Sequence, residues 1–183
     1  MLSVFFKENI MYLASWSKMR KYLEQEMIAD SLKGRIRFNC TSYPNMDGMH
    51  IFEIFVDNKI EKQFSWETVN TYFRTDEKFP NGKGKIPPDA LYGYWTGFGN
   101  TLCSTPITER DEYTDREFCE AVAEYRQQSI ADSQLSDNPI VRMFAILDRR
   151  TGKRSLEKMK QTLSSQPEWL QKFYLLRMNA ENI

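Results

Sequence analysis

The chain has 183 residues, of which 41% are hydrophobic, and its 25 basic and 25 acidic side chains give a formal net charge of zero. This length suits one domain that buries its own core without the help of disulfides or metals. The neutral balance disfavours a protein dedicated to nucleic acid, because such proteins usually carry an excess of positive charge. Three widely spaced cysteines, Cys40, Cys103 and Cys119, are typical of reduced thiols in a cytoplasmic protein.

The first residues predict neither a signal peptide nor a membrane anchor. Lys7, Glu8 and Asn9 interrupt the apolar residues near the start, and no basic stretch precedes them. No run approaches the ~20 apolar residues that cross a membrane. We therefore expect residues 1–14 to be an extension outside the core, with translation starting at Met1 or Met11. Residues 15–183 are expected to form a single α+β domain.

The first part of this domain, residues 15–73, is predicted as an αβββα layer. Apolar side chains recur at helical spacing from Trp16 to Met27, with Ser15 or Ser17 as the N-cap. Three stretches with strand-like alternation or β-branched residues follow, at 35–43, 50–56 and 59–64. Asp57-Asn58 predicts a hairpin turn between the last two, so the sheet is expected to be an antiparallel meander.

Residues 74–113 are predicted as a loop-rich insert. Glycine and proline are frequent between Lys78 and Pro88, which indicates a surface loop. Residues 92–100 interleave aromatic residues with glycine. That pattern predicts neither a secondary structure nor a role for these residues.

Residues 114–183 are predicted as a half made of four helices. Thr114 and Glu117 have the spacing of a capping box at the first helix start. Asn138-Pro139 predicts the second start, with asparagine as cap and proline at the first helical position. Residues 140–147 are apolar except for Arg142, so this helix is expected in the core.

The predicted fold class is therefore α+β. An N-terminal helix and a three-stranded antiparallel meander are expected to pack against the C-terminal helical half around a shared core.

Two groups of motifs resemble those of an uncharacterised bacterial protein family. The first group is W-S-K at residues 16–18, S-L-K-G-R-I at 31–36 and T-S-Y at 41–43. The second resembles the family signatures S-x-N-P-[IL]-[IV]-R and L-D-R-R-x-G-K-R, at residues 136–142 and 147–154. The resemblance covers about residues 15–64 and 117–183 and supports a domain start near Trp16. The family carries no established activity, so the resemblance implies no function.

Two groups of basic residues are the candidate binding residues: Lys33, Arg35 and Arg37 on the first strand, and Arg149, Arg150, Lys153 and Arg154 after the apolar helix. Such side chains bind phosphate or a nucleic-acid backbone when they share a surface. In a structural alternative, the second group complements the end of the apolar helix and pairs with acidic residues between Glu109 and Glu124. The structural alternative is favoured, because those acidic residues are close in sequence and able to neutralise the arginines.

The residues offer no persuasive catalytic set. His50 is the single histidine and lies in an apolar strand, where a packing role is favoured; Cys40 opposite it is a geometric possibility only. No C-x-x-C or H-x-x-x-H pair indicates zinc, and the Gly152-Lys153 stretch lacks the earlier glycine of a phosphate-binding loop. We expect no metal and no cofactor.

The leading hypothesis is a non-catalytic cytoplasmic interaction protein, which binds another protein or a second copy of itself and no membrane. A nucleic-acid or phosphate-ligand binding protein that uses the two basic groups is the first alternative. A hydrolase working from the carboxylates of Glu53, Asp57 and Asp148 is the second, although Asp148 is expected to make a structural salt bridge. The αβββα order also resembles double-stranded RNA-binding domains, but topology alone does not carry function.

Overall fold

The computed structural model describes residues 16–42, 49–75 and 88–183. The predicted extension at residues 1–14 and the alternative cap Ser15 lie outside these ranges. The strands are β1 (Ile36–Ser42), β2 (His50–Val56) and β3 (Lys59–Phe64). The described helices are α1 (Trp16–Lys21, continued by a π-helical turn at Tyr22–Met27), α2 (Trp66–Thr75), α3 (Leu91–Ser104), α4 (Asp115–Gln127), α5 (Ile130–Leu135), α6 (Pro139–Leu147), α7 (Lys153–Met159) and α8 (Glu168–Glu181). None of them is long and apolar enough to cross a membrane.

The sheet is the predicted antiparallel meander in the order β1-β2-β3. Phe38 pairs with Ile54, and Phe52 pairs with Phe64, so these apolar side chains lie on one face. Asp57 and Asn58 form the turn with φ angles of 48° and 68°, the left-handed conformation that a two-residue hairpin requires.

One core joins this sheet to the helical half, which confirms the α+β fold class. Phe118 of α4 lies 4.6 Å from Phe52 and 4.8 Å from Phe64, measured between ring centroids. Phe144 of α6 packs against the ring of Phe118, with 5.8 Å between the two centroids. Aromatic pairs at such distances stabilise the fold by more than the burial of their apolar area alone.

The two predicted helix starts are also confirmed. Thr114 and Glu117 each accept a hydrogen bond from the other's backbone N–H, which is the full capping box at α4. Asn138 accepts from the N–H of Ile140 at the start of α6. Every residue of α6 except Arg142 is buried, as its apolar sequence predicts.

The structure differs from the predicted loop-rich insert at residues 91–104, and the predicted surface loop from Lys78 to Pro88 lies outside the described residues except at its last position. Residues 91–104 form the helix α3 rather than a loop, because Tyr94 and Phe98 bury their rings against Val69 and Phe73 of α2. Tertiary burial of this kind outweighs the cost of glycine inside a helix, which is about 1 kcal/mol per residue.

The described part of the helical half contains five helices instead of four. The additional helix, α5, has only six residues and begins at Ser129, whose side chain accepts from the N–H of Asp132. One and a half turns give too short an apolar pattern to be recognised in the sequence.

Candidate functional site

The second basic group lies where the core helix α6 ends. Asp148 caps this helix, and its side chain is 1% exposed although it is a carboxylate. It accepts hydrogen bonds from the Tyr125 hydroxyl and from both the backbone and the guanidinium of Arg150. The Arg150 Nη2 to Asp148 Oδ2 distance is 2.7 Å. We call Tyr125, Asp148 and Arg150 the Asp148 clasp.

A segment from the N-terminal half of the chain holds the loop that follows α6 in place. Residues 27–29 run antiparallel to residues 147–149, with one hydrogen bond from Ala29 N to Leu147 O and another from Arg149 N to Met27 O, both 2.9 Å. The backbone on either side of Asp148 is therefore fixed, and its buried carboxylate has to find its donors within the protein.

The electrostatics of the clasp favour a charged Arg150 and a neutral Tyr125. The hydrogen bond to Asp148 raises the pKa of Arg150, and burial raises the pKa of Tyr125, as does its hydrogen bond to the same carboxylate. Burial also raises the pKa of the neighbouring Tyr22. Both tyrosine hydroxyls thus keep their protons at neutral pH, and that of Tyr125 donates to Asp148.

Like Arg150, the other three basic residues of this group are exposed. Lys153 donates to the backbone oxygen of Glu181 at the end of α8, at 2.9 Å. Within the described ranges, neither Arg149 nor Arg154 has a carboxylate oxygen within 4 Å. The charge of Arg149 nevertheless helps to lower the pKa of Asp30, after the larger effect of the Lys33 hydrogen bond.

The first basic group, on and before β1, is interleaved with carboxylates. Lys33 pairs with Asp30 at 2.6 Å. Arg35 makes two parallel hydrogen bonds to Asp57, of 3.0 and 2.6 Å. Arg37 lies over the ring of Phe55, 5.3 Å from its centroid. Lys33 and Arg37 also border an open depression of about 400 Å³ that Glu24 and Gln25 share with them.

The expected pairing with the acidic residues of 109–124 is wrong. Three of those carboxylates pair with other residues, as Lys62–Glu112, Arg110–Glu117 and Arg116–Glu120, and among the described residues none pairs with Arg149, Arg150, Lys153 or Arg154. The contact between the loop after α6 and helix α4 instead runs through the hydroxyl of Tyr125. Asp148, expected to make a structural salt bridge, makes it with Arg150.

The candidate catalytic residues occupy structural positions. Glu53 accepts from the amide of Asn39 at 2.9 Å, Asp57 pairs with Arg35, and Asp148 belongs to the clasp. His50 lies opposite Ser42 rather than Cys40, and its backbone N–H donates to Asp115.

Two of the three cysteines, Cys40 and Cys119, lie in surroundings that disfavour a reactive thiolate. Burial raises the pKa of Cys40 to about 11 and that of Cys119 to about 12, so both remain thiols at neutral pH. Among the residues that the structure describes, no three His, Cys, Asp or Glu side chains converge on a point where they would hold a metal ion.

The surface that sequence reasoning missed is on α3, in the segment with no assigned role. Its inward side carries Tyr94 and Phe98, whereas its outward side exposes 85% of Tyr92 and 47% of Trp95. Leu91, in the first turn of the helix, is 41% exposed. Gly99 lies on the outward side as well, and a Cβ there would meet nothing within 4 Å. We refer to Tyr92, Trp95 and Gly99 as the outward side of α3.

The signal for this surface is present in the sequence, but it depends on knowing the secondary structure. No charged residue occurs between Leu91 and Pro106, in a chain of which 27% is charged. As a loop this stretch has no faces, so its aromatic residues indicate nothing. As a helix it carries no charge on any side, with Tyr94 and Phe98 in the core and Tyr92 and Trp95 exposed on the other side.

A family model described as the SF0329 protein family matches residues 15–178. The match includes residues 65–116, which the motif resemblance leaves out, and it begins where that resemblance predicts the domain start. No curated protein and no solved structure matches the chain.

Proposed function

We propose that this chain is a non-catalytic protein that binds a polypeptide partner through the outward side of α3. The chain belongs to the SF0329 protein family, and because that family description states no activity, the proposal is argued from the surfaces of the chain. The observation that carries the proposal is an uncharged helix that leaves Tyr92 and Trp95 in solvent. We further propose a cytoplasmic location and a bacterial source. The three free cysteines support the first and the motif resemblance supports the second.

The chemistry of these residues suits a docking surface. Tyrosine and tryptophan are enriched among the residues that contribute most to binding between proteins, and charged residues are depleted at the centre of such interfaces. A single exposed apolar residue needs no explanation. Tyr92 and Trp95 lie side by side on a helix without a single charge, and the largest apolar patch on a folded protein is often functional.

The size of the patch limits how strongly it binds. Covering the exposed parts of Tyr92 and Trp95 removes about 300 Å² from water, worth about 7 kcal/mol at 25 cal/mol per Å². Association itself costs at least about 4 kcal/mol. The two aromatic residues therefore supply the core of an interface, and neighbouring side chains of α3 have to supply its remainder.

The basic groups support the same choice over a nucleic-acid or phosphate ligand. Lys33, Arg35 and Arg150 are each bound to a carboxylate of the same chain, and Lys153 is bound to a backbone oxygen. A phosphate would have to displace these partners, and each displaced carboxylate would repel it. Four of the seven candidate basic residues are thus bound within the chain, which favours a structural role for them.

Co-purification from the native host tests the proposal. A tagged chain is compared with a variant that carries Tyr92→Ser and Trp95→Ser, and with Leu135→Ser as the matched control, because Leu135 is 83% exposed on the distant helix α5. We expect wild type and the control to retain the same polypeptide, which is either another protein or a differently tagged copy. The double variant is expected to lose it while keeping the circular dichroism spectrum of the wild type.

Two results would reject this function. One is a double variant that retains the partner as well as wild type does. The other is a wild-type chain that retains no polypeptide of either kind and sediments as a monomer.

A further inference from the structure

We propose that the polypeptide on the outward side of α3 is a second copy of this chain, whose α3 crosses the first antiparallel about a two-fold axis near Gly99. This inference deepens the proposed function and rests on it. It names the partner and the geometry of the same surface.

The charge pattern supports a second copy as the occupant. Residues 91–106 contain no charged side chain, whereas 27% of the whole chain is charged and an average stretch of this length holds about four such residues. A two-fold interface sets the same patch against itself, so any charge near the axis meets its own like charge. An uncharged helix avoids that repulsion, while it offers nothing to a partner that is recognised by its charge.

The positions along the helix suit a crossing at Gly99. At 100° per residue, Tyr92, Trp95 and Gly99 fall within a sector of about 60°, so they form one line along the outward side. Gly99 is near the middle of α3, and the space where its Cβ would project is open. Two backbones are able to approach closely there. An antiparallel crossing then sets Trp95 of one copy beside Cys103 of the other, because each lies four residues from Gly99.

The exposed area predicts a weak dimer. Together Leu91, Tyr92 and Trp95 offer about 300 to 400 Å² per copy, against the roughly 800 Å² per partner of a standard stable interface. The flanking residues of α3 add to this area without reaching that size. We therefore expect a dissociation constant in the micromolar range, with dimer forming as the concentration rises.

A charge-swap experiment at Gly99 tests the pairing. Gly99→Lys and Gly99→Glu each put a side chain into open space in the single chain, and both residues form helix better than glycine. Their thermal midpoints are therefore expected to equal or exceed that of wild type, which shows that each variant folds. Each variant alone brings two like charges together at the axis, and its dimer dissociation constant is expected to rise at least tenfold in sedimentation equilibrium.

An equal mixture of the two variants provides the decisive result. It sets lysine against glutamate across the axis, and we expect the mixture to form a dimer that neither variant forms alone at the same concentration. Leu135→Lys serves as the control, because it adds a charge at an exposed apolar position away from α3 and leaves the dimer constant unchanged.

Three outcomes would overturn the pairing. A wild-type chain that stays monomeric up to about 100 μM has no such dimer, and a dimer that both Gly99 variants leave unchanged uses a different surface. A mixture that fails to restore the dimer rejects the two-fold crossing at Gly99. Failure here is separable from failure of the proposed function. If wild type is monomeric but binds a different protein, and substitution of Tyr92 and Trp95 abolishes that binding, then the proposed function holds and the surface binds that protein.

Discussion

Replacing Arg150 with alanine distinguishes a structural role for the basic residues after α6 from a role in ligand binding. Arg150 binds the carboxylate of Asp148 through its guanidinium, whereas its neighbour Arg149 is exposed and has no ion pair among the described residues. The two residues carry the same charge at adjacent positions. If the group stabilises the fold, only Arg150→Ala is expected to lower the free energy of unfolding.

The size of the effect follows from the burial of Asp148. Removing one partner of a buried ion pair costs about 3 to 5 kcal/mol. The side chain of Arg150 is 50% exposed, and Asp148 keeps its hydrogen bonds to the Tyr125 hydroxyl and to the backbone N–H of residue 150. Solvent and the remaining donors reduce the cost, so we expect about 2 kcal/mol for Arg150→Ala. Arg149→Ala is expected to change stability by less than about 0.5 kcal/mol.

Urea denaturation of both variants and of wild type measures this difference. With a slope of about 2 kcal/mol per molar urea, the midpoint of Arg150→Ala is expected to fall by about 1 M at an unchanged slope. The midpoint of Arg149→Ala is expected to stay within about 0.3 M of wild type. Equal midpoints for all three proteins would refute the clasp, and so would a loss for Arg149→Ala as large as that for Arg150→Ala.

Three further predictions follow from the same contacts. In dilute solution at pH 8, a thiol reagent is expected to modify Cys103 quickly and Cys40 and Cys119 slowly, since burial raises the pKa of the last two; three equally fast thiols would contradict their burial. Thr114→Ala removes the side-chain half of a capping box and is expected to cost about 1 kcal/mol in urea denaturation, whereas an unchanged midpoint would argue against the cap. Burial lowers the pKa of Lys62 below its usual 10.5, so the unfolded chain holds that proton more tightly. The free energy of unfolding of wild type is therefore expected to increase relative to that of Lys62→Met as the pH rises toward 10.5. A relative decrease over that range would show that the pKa of Lys62 is raised by folding and not lowered.

The parts of the fold that were predicted from the sequence are those with a strong local signal. The capping box at Thr114, the Asn138-Pro139 start and the Asp57-Asn58 turn each depend on a few adjacent residues, and all three are present in the structure. The apolar sequence of residues 140–147 likewise predicts its own burial. At these elements the local preference and the final fold agree, so a few adjacent residues are enough to predict them.

Elements that depend on distant partners were not predictable in this way. The helix α3 forms because Tyr94 and Phe98 find Val69 and Phe73, which lie more than twenty residues earlier in the chain. Without that contact, three glycines within residues 92–100 argue for a loop. The docking surface was missed for the same reason, because its exposed side exists only once the helix does.

The candidate site shows the same division between sequence and structure. The basic residues were identifiable from their charge, but their partners were not. Tyr125 and Asp148 are 23 residues apart, and only the packing of α4 against α6 brings the hydroxyl to the carboxylate. Nearby acidic residues suggested a different pairing, since closeness in sequence was the one criterion available before the fold was known.

The salt dependence of binding at the outward side of α3 tests the central claim most directly. The complex that Tyr92 and Trp95 are proposed to form is measured by sedimentation from about 0.05 M to about 0.5 M sodium chloride. An uncharged apolar interface predicts a dissociation constant that stays constant or falls as salt rises, because screening acts on charges and not on buried apolar area. A dissociation constant that rises tenfold or more over this range would show that charged groups hold the complex together, and would contradict docking through α3.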